Sequence, residues 1–239
     1  MKILAIDTST SRAGVALVQP TTVDALCQLE FGNRHGEHLL DLIDFVLSSA
    51  GQSITGVDGF AVVTGPGSFT GLRIGISVVK GLAFAAQKPV VTATSLEVIA
   101  TIAAYQSTPV CPMLNARRKE VYTALYDCTG ALPQPLSEVT VIAPEQWLEQ
   151  LAAQREPILF CGDGAIHYAN QIDAILGDNG MVLPLHLQHG CASGLGYIGL
   201  QKLEQGNIED LHTFEPLYIR PPDAKLPGVS PVFTARTRQ

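Results

Sequence analysis

TGPGSFTGLRIG, residues 64–75, follows the apolar run 59–63 and opens a helical pattern that continues to Ala86. Glycine-rich turns between a strand and a helix often cradle phosphates, so spacing is the first test. A P-loop requires G-x-x-x-x-G-K-[ST]. Five residues beyond Gly65 and Gly67 stand Thr70 and Leu72, and no lysine occurs before Lys80. The dinucleotide fingerprint G-x-G-x-x-G is missed by one residue, because the third glycine is Gly71. About 20 residues on, where an acid should bind ribose, the chain reads Val90-Val91-Thr92. Both common nucleotide loops are excluded.

The glycines still need a reason. In a helix interior each costs about 1 kcal/mol relative to alanine, and this helix carries Gly71, Gly75 and Gly81. Gly71 and Gly75, four apart, share one face that another backbone can approach closely. Three readings stand at this point: tight packing within the chain, a helix contact between subunits, or a helix N-terminus directed at an anion.

Working outward, Lys2–Asp7 reads as a strand, 8–14 as a turn, 15–18 as a second strand and Ala25–Phe31 as a third. Leu39, Leu40, Ile43, Val46 and Leu47 recur at helical spacing between Gly36 and Ala50. A strand at 59–64, the helix Thr70–Ala86 and a strand at 89–92 follow. Thr94 with Glu97 forms a capping box for a helix Ser95–Tyr105. The second half restarts in the same way: 110–127 is an apolar run, a polar turn at Asn115 and another strand, with Asn115 matching Asp7. Helices near Pro144–Ala153, Ile166–Leu176 and Ala192–Gln205 and a strand at 158–162 complete it. Tandem hairpin-first units point to an α/β protein of two duplicated domains, 1–106 and 107–224, with a flexible tail at 225–239.

Composition sets limits on function. The 239 residues are 46% hydrophobic, enough for a substantial core. No apolar run approaches the roughly 18 residues of a membrane span, and Lys2–Asp7 is too short for a signal peptide core, so a cytoplasmic protein is expected. Cys27, Cys111, Cys128, Cys161 and Cys191 are scattered without a C-x-x-C pair, which reads as free, mostly buried thiols. The net charge of −7 gives no basic face, the basic concentration near an end being Arg236 and Arg238. Any RNA is therefore expected to be held by a partner.

Together, GPGSFTGLRIG at 65–75, ILAIDTSTSRAGVAL at 3–17 and NARRKEVY at 115–122 resemble the TsaB (YeaZ) family. HGEHLLDLI at 35–43 and PLYIRPPDA at 216–224 are similar to further family stretches. The resemblance implies an actin-like, sugar-kinase-like (ASKHA) fold of two ribonuclease-H-like domains. It also implies a non-catalytic subunit in synthesis of threonylcarbamoyladenosine at position 37 of tRNA, paired with the catalytic paralogue TsaD and the ATPase TsaE. Alone, the chain is expected to form a homodimer, to contact tRNA only through the complex, and to bind no membrane. The implied partner interface comprises His35, His38, Leu39, Leu42, Gly67, Phe69, Gly71, Leu72, Gly75, Val78 and Val79. On that reading, leucine at position 75 blocks partner binding without unfolding the monomer.

The same resemblance tests for catalysis. TsaD holds its metal with an H-x-x-x-H pair, and the matching positions here are Ser95 and Ile99. His35 and His38, with Glu37 nearby, make a poor metal site, and His167, His186, His189 and His212 form no ligand spacing. No catalytic or metal residue is assigned and no cofactor is required. In nucleotide-using members of the fold, an acid after the first strand organises phosphate. By that comparison Asp7, Thr8, Ser9 and Asp163 form a weak ATP or ADP site, against a plainer reading in which Asp7 caps its turn. Asn115 stands where the family has aspartate, while Arg117, Arg118, Glu120 and Tyr122 keep the rest of the pattern and read as solvated hairpin side chains, with a partner-contact role as the alternative. An independent ATPase or kinase-like protein, or a glycoprotease-like metallopeptidase, are the alternative functions.

Overall fold

The computed structural model describes residues 1–32, 34–188 and 192–220, without the side chain of His35. The expected tail 225–239, residues 221–224, His189 and Cys191 lie outside the described residues. The first half contains β1 (Ile3–Asp7), β2 (Arg12–Val18), β3 (Val23–Glu30), α1 (His35–Ser49), β4 (Gly59–Gly65), α2 (Phe69–Ala86), β5 (Val90–Thr94) and α3 (Ser95–Ala100). The second contains β6 (Gln106–Asn115), β7 (Val121–Thr123), β8 (Tyr126–Cys128), β9 (Gln134–Pro135), β10 (Thr140–Ile142), α4 (Pro144–Ala152), β11 (Ile158–Cys161), α5 (Asp163–His167), α6 (Ala169–Leu176), β12 (Gly180–Val182) and α7 (Ala192–Glu204).

The sheet orders are β3-β2-β1-β4-β5 and β10-β7-β6-β11-β12, with β8 and β9 added beside β6. In each, the first strand pairs antiparallel with the second, and the fourth and fifth run parallel to the first. Asp7 lies opposite Gly14 at the end of one hairpin and Asn115 opposite Val121 at the end of the other. This is the duplicated α/β arrangement expected from the sequence. Thr94 and Glu97 make both halves of the capping box. The next helix is shorter than expected, ending at Ala100 in a 3-10 turn where Thr101 Oγ1 donates to Val98 O at 2.6 Å. The helix expected over Ile166–Leu176 starts earlier and is broken into α5 and α6 at Tyr168.

In β1, Leu4 and Ile6 face one side and Ile3 and Ala5 the other, all fully buried. A strand apolar on both sides needs a sheet covered on both. α1 and α2 cover one face, joining Leu39, Val46, Ile76 and Val79 to Leu4, Ile6, Val15 and Leu17. The other face is covered by α7, whose Leu195 and Ile198 pack with Ile3, Ala5, Val18, Ala61 and Val91. Conversely Leu96, Ile99 and Ala100 of α3 pack with Val110, Leu114 and Tyr126 of the second sheet. The two halves thus exchange helices, which alters the expected second unit 107–224, since its last helix completes the core of the first. Lys202 on α7 reaches Glu97 on α3 at 3.4 Å and donates to Thr92 O at 2.9 Å, tying the exchange together.

By length and composition α2 is long and apolar enough to cross a membrane, though no uninterrupted apolar run in it reaches that length. It carries Arg73 and Lys80, and buries Leu72, Ile76, Val79 and Ala83 as a core helix on the sheet.

Candidate functional site

Between the halves lie a cavity of about 210 Å³ and a wider groove of about 850 Å³ that share Ser9, Thr10, Ser11, Leu114 and Asp163 in their walls. The β1–β2 turn builds one side. Asp7 Oδ1 accepts from Ser9 N at 2.9 Å, a local turn closed by a carboxylate. Thr8, 2% exposed, donates from Oγ1 to Gly71 O at 2.7 Å. Ser9 O accepts from Ser68 N at 2.7 Å, and Ser68 Oγ caps α2 by accepting from Gly71 N at 3.2 Å.

These bonds explain the glycines. A Cβ on Gly67 would overlap Ser9 O, and one on Gly75 would overlap Thr8 Oγ1. The close approach is therefore made by the β1–β2 turn of the same chain. At Gly75 the expectation of a helix face shaped for a sister subunit is corrected, since Thr8 of the same chain fills that space. Spacing shows that something must come close, and the tertiary fold shows that Thr8 does. Gly81, by contrast with Gly75, faces open space.

Of the expected interface residues, Leu39, Leu42, Gly71, Leu72, Gly75 and Val79 are buried within the chain, held by the core under α1 and α2. Gly67, Val78 and His38 are half-buried and Phe69 is exposed. His38 packs its ring on Phe31 with centroids 5.0 Å apart. Besides Phe69, the large apolar side chains that α1 and α2 present most fully to solvent are Leu40 at 60%, Phe45 at 58% and Phe84 at 66% exposure. Helical spacing groups Leu40 with the apolar positions of α1 and does not single out Phe45 or Phe84. An apolar residue at the edge of a helical stripe reads the same whether it is covered or not.

Of the expected nucleotide residues, the structure brings Asp7, Ser9 and Asp163 into the cleft walls. Thr8 points instead into the packing beneath α2. Asp163 follows β11 at Gly162, whose φ of +93 suits glycine. Its carboxylate accepts from Asn115 N at 3.1 Å. The crowded rim raises the Asp163 pKa by removing water, opposed by N–H donors from Asn115 and Gly164. By surface area the residue is exposed, so solvent screens that effect and the hydrogen bond to Asn115 is the firmer constraint. Gln188, 1% exposed, accepts at Oε1 from Gly162 N at 2.7 Å and donates to Leu183 O. It thereby occupies the Gly162 N–H from within the chain. No sequence signal marked it, since a lone glutamine after a 3-10 turn has no pattern.

Asn115 begins a tight turn. Its Oδ1 accepts from Arg117 N at 2.9 Å, and Ala116 N donates to Glu120 O at 2.9 Å. Arg117, Arg118 and Lys119 all have left-handed backbones, φ 60, 51 and 60, a conformation costing roughly 1 kcal/mol or more per L-residue. Arg220 anchors the turn from the far end of the chain, donating to Ala116 O at 3.2 Å and pairing with Glu120. This corrects the reading of Glu120 as a solvated side chain.

At the positions that the family resemblance matches to a metal pair, Ser95 is buried and donates to Pro66 O, and Ile99 offers no donor atom. Among the described residues, no group of three or more His, Cys, Asp or Glu could hold a metal ion. The four described cysteines are free. Burial pushes the Cys111 thiol up to about 11, so it is not a ready nucleophile.

Comparison with known proteins agrees with this geometry. Residues 30–227 match the family described as TsaD, tRNA N6-adenosine threonylcarbamoyltransferase. The tRNA threonylcarbamoyladenosine biosynthesis protein TsaB of Bacillus subtilis is 30% identical, over 94% of this chain and 96% of its own. That of Escherichia coli is 32% identical, over 95% and 99%. The solved structure of YeaZ from Pseudomonas aeruginosa superposes with a TM-score of 0.78 at 28% identity, covering 91% of this chain and 99% of that one. Component A of the Acidaminococcus fermentans (R)-2-hydroxyglutaryl-CoA dehydratase, at 11% identity and TM-score 0.53 over 85% and 99% of the two chains, shares the fold alone. Full-length likeness to TsaB proteins, joined to a duplicated α/β fold, places this chain in the TsaB (YeaZ) family.

Proposed function

We propose that the chain is an accessory, non-catalytic subunit in the synthesis of threonylcarbamoyladenosine on tRNA, docking TsaD through the outer faces of α1 and α2. The pathway follows from relatives that bear its name and match over nearly their whole length. The observation that carries the docking surface is Leu40, Phe45 and Phe84 exposed on two neighbouring helices of a chain whose other helices bury their large apolar residues better. TsaE completes the assembly, and in TsaD's absence a second copy of the chain covers the same face. The work is placed in the cytoplasm, where tRNA is modified.

Reconstitution of the modification with TsaD, TsaE, the enzyme that makes the threonylcarbamoyl adenylate and unmodified tRNA is the direct test. Product should form only when this chain is present, and the chain without TsaD should form none. Modification by TsaD and TsaE at full rate in its absence would overturn the proposal.

A second reading, weak binding of ATP or ADP in the cleft, is favoured by the convergence of Asp7, Ser9 and Asp163 on one cavity. Two carboxylates there require magnesium to accept a triphosphate, and Gln188 occupies the Gly162 N–H. Calorimetry with magnesium and ATP should give weak binding without turnover, and tight binding with hydrolysis would favour an independent ATPase. The peptidase alternative lacks a donor set in the described residues.

A further inference from the structure

This acidic chain concentrates positive charge at one place that its net charge hides. Of its 15 lysines and arginines, Arg117, Arg118 and Lys119 stand consecutively and exposed on the β6–β7 turn. Arg117 and Arg118 line the wider groove. L-residues visit the left-handed region singly if at all, yet here three in a row are kept in it. The Asn115 side chain, the Ala116–Glu120 backbone bond and the Arg220 anchor hold the turn in that shape. Glu120, the acid within the turn, is neutralised by Arg220. A turn needed only to reverse the chain would use glycine or asparagine at such positions.

The groove is also lined by Ser68, Phe69 and Thr70 at the start of α2, and by Tyr218. The Arg73 guanidinium lies 4.0 Å from the Phe69 ring centroid, and the Phe69 and Tyr218 rings are 5.1 Å apart. Arg73 Nε also donates to Tyr218 Oη at 2.9 Å, fixing the stack. Phe69 and Tyr218 remain 36% and 37% exposed. Cations and an arginine–aromatic cluster lining one groove match what single-stranded nucleic acid needs, phosphates on the first and a base on the second.

We infer that this groove holds a single-stranded segment of RNA, with phosphodiesters on Arg117 and Arg118, Lys119 adding charge beside them on the same exposed turn, and a base against the Arg73–Phe69–Tyr218 cluster. The inference rests on the reading of the chain as a tRNA-modification protein, and it replaces the expectation that tRNA is met only through a partner. A free nucleotide offers the same phosphate and ring, so the test includes one.

Fluorescence anisotropy of a labelled anticodon stem-loop RNA with the full-length chain, over a series of salt concentrations, reads the site directly. Wild type should bind, more weakly as salt rises. The Arg117→Glu/Arg118→Glu variant should bind about 10-fold or more weakly, with a salt slope shallower by roughly one to two. Lys119→Glu lies outside the hydrogen bonds that hold the turn, so it serves if the double variant melts early. It should weaken binding a few-fold and reduce the slope by about one. No stem-loop binding at the lowest salt, or unchanged affinity and slope in the folded variants, would overturn the inference. So would binding of AMP or ADP without RNA, equal preference for a blunt RNA duplex, or binding of an acidic peptide in place of RNA. If reconstituted modification needs the chain but the turn variants bind RNA normally, only the groove assignment falls. If modification never needs the chain, the pathway reading falls whatever the anisotropy shows.

Discussion

A side chain at position 75 has nowhere to go, because its Cβ would overlap Thr8 Oγ1, and Thr8 is fixed by donating to Gly71 O. Gly75→Leu should therefore lower stability by about 3 kcal/mol or more, visible as a large fall in Tm of the isolated chain. A variant melting like wild type but failing to bind TsaD would restore the intersubunit reading of the glycines. Cys111 gives a pH signature. Its thiol is buried between Thr123 Oγ1 at 3.2 Å and Trp147 Nε1 at 3.3 Å, and its pKa is pushed up to about 11 by burial. A raised folded pKa means that the stability is fully present below the unfolded thiol's pKa and is lost as pH climbs toward the folded one. Between about pH 9 and 11 this residue alone should remove roughly 2–3 kcal/mol. Denaturant melts across that range should fall less steeply for Cys111→Ser, and parallel curves would rule the residue out as a cause. The sequence suggested buried thiols, but only the fold shows which ones lose water.

At the scale of elements, α1 and α2 each have two jobs. Their inner faces, with Leu39, Val46, Ile76 and Val79, complete the first core, while Leu40, Phe45 and Phe84 stay in water. Leu40→Glu combined with Phe84→Glu should leave the Tm nearly unchanged, since exposed substitutions usually shift stability by about 0.5 kcal/mol or less. Co-elution with TsaD should nevertheless be lost, and co-elution at wild-type level would move the interface elsewhere. Both helices were legible from apolar spacing, and α3 from its Thr94–Glu97 box. The outward apolar residues were not, because a periodic pattern identifies the covered face and is silent about a second face covered only in a complex.

At the scale of the molecule, the exchange of α3 and α7 makes the halves interdependent. A chain ending at Leu187 keeps every described strand but strips α7 from Ile3, Ala5, Val18, Ala61 and Val91. It should lose its cooperative thermal transition and bind a hydrophobic dye, whereas a sharp melt would show that the first sheet stands without that helix. The sequence by itself determined the α/β class, the duplicated hairpin-first units with Asp7 matching Asn115, the exclusion of the common nucleotide loops and the family resemblance. These depend on spacing along the chain, which local periodicity records. Only the tertiary structure decided that Thr8 fills the glycine face, that Gln188 stoppers the Gly162 N–H, that Arg220 pins a three-cation turn, and that α7 belongs to the first core. Each of these joins residues far apart in sequence, and such contacts are set by how whole faces are buried, which no local pattern contains.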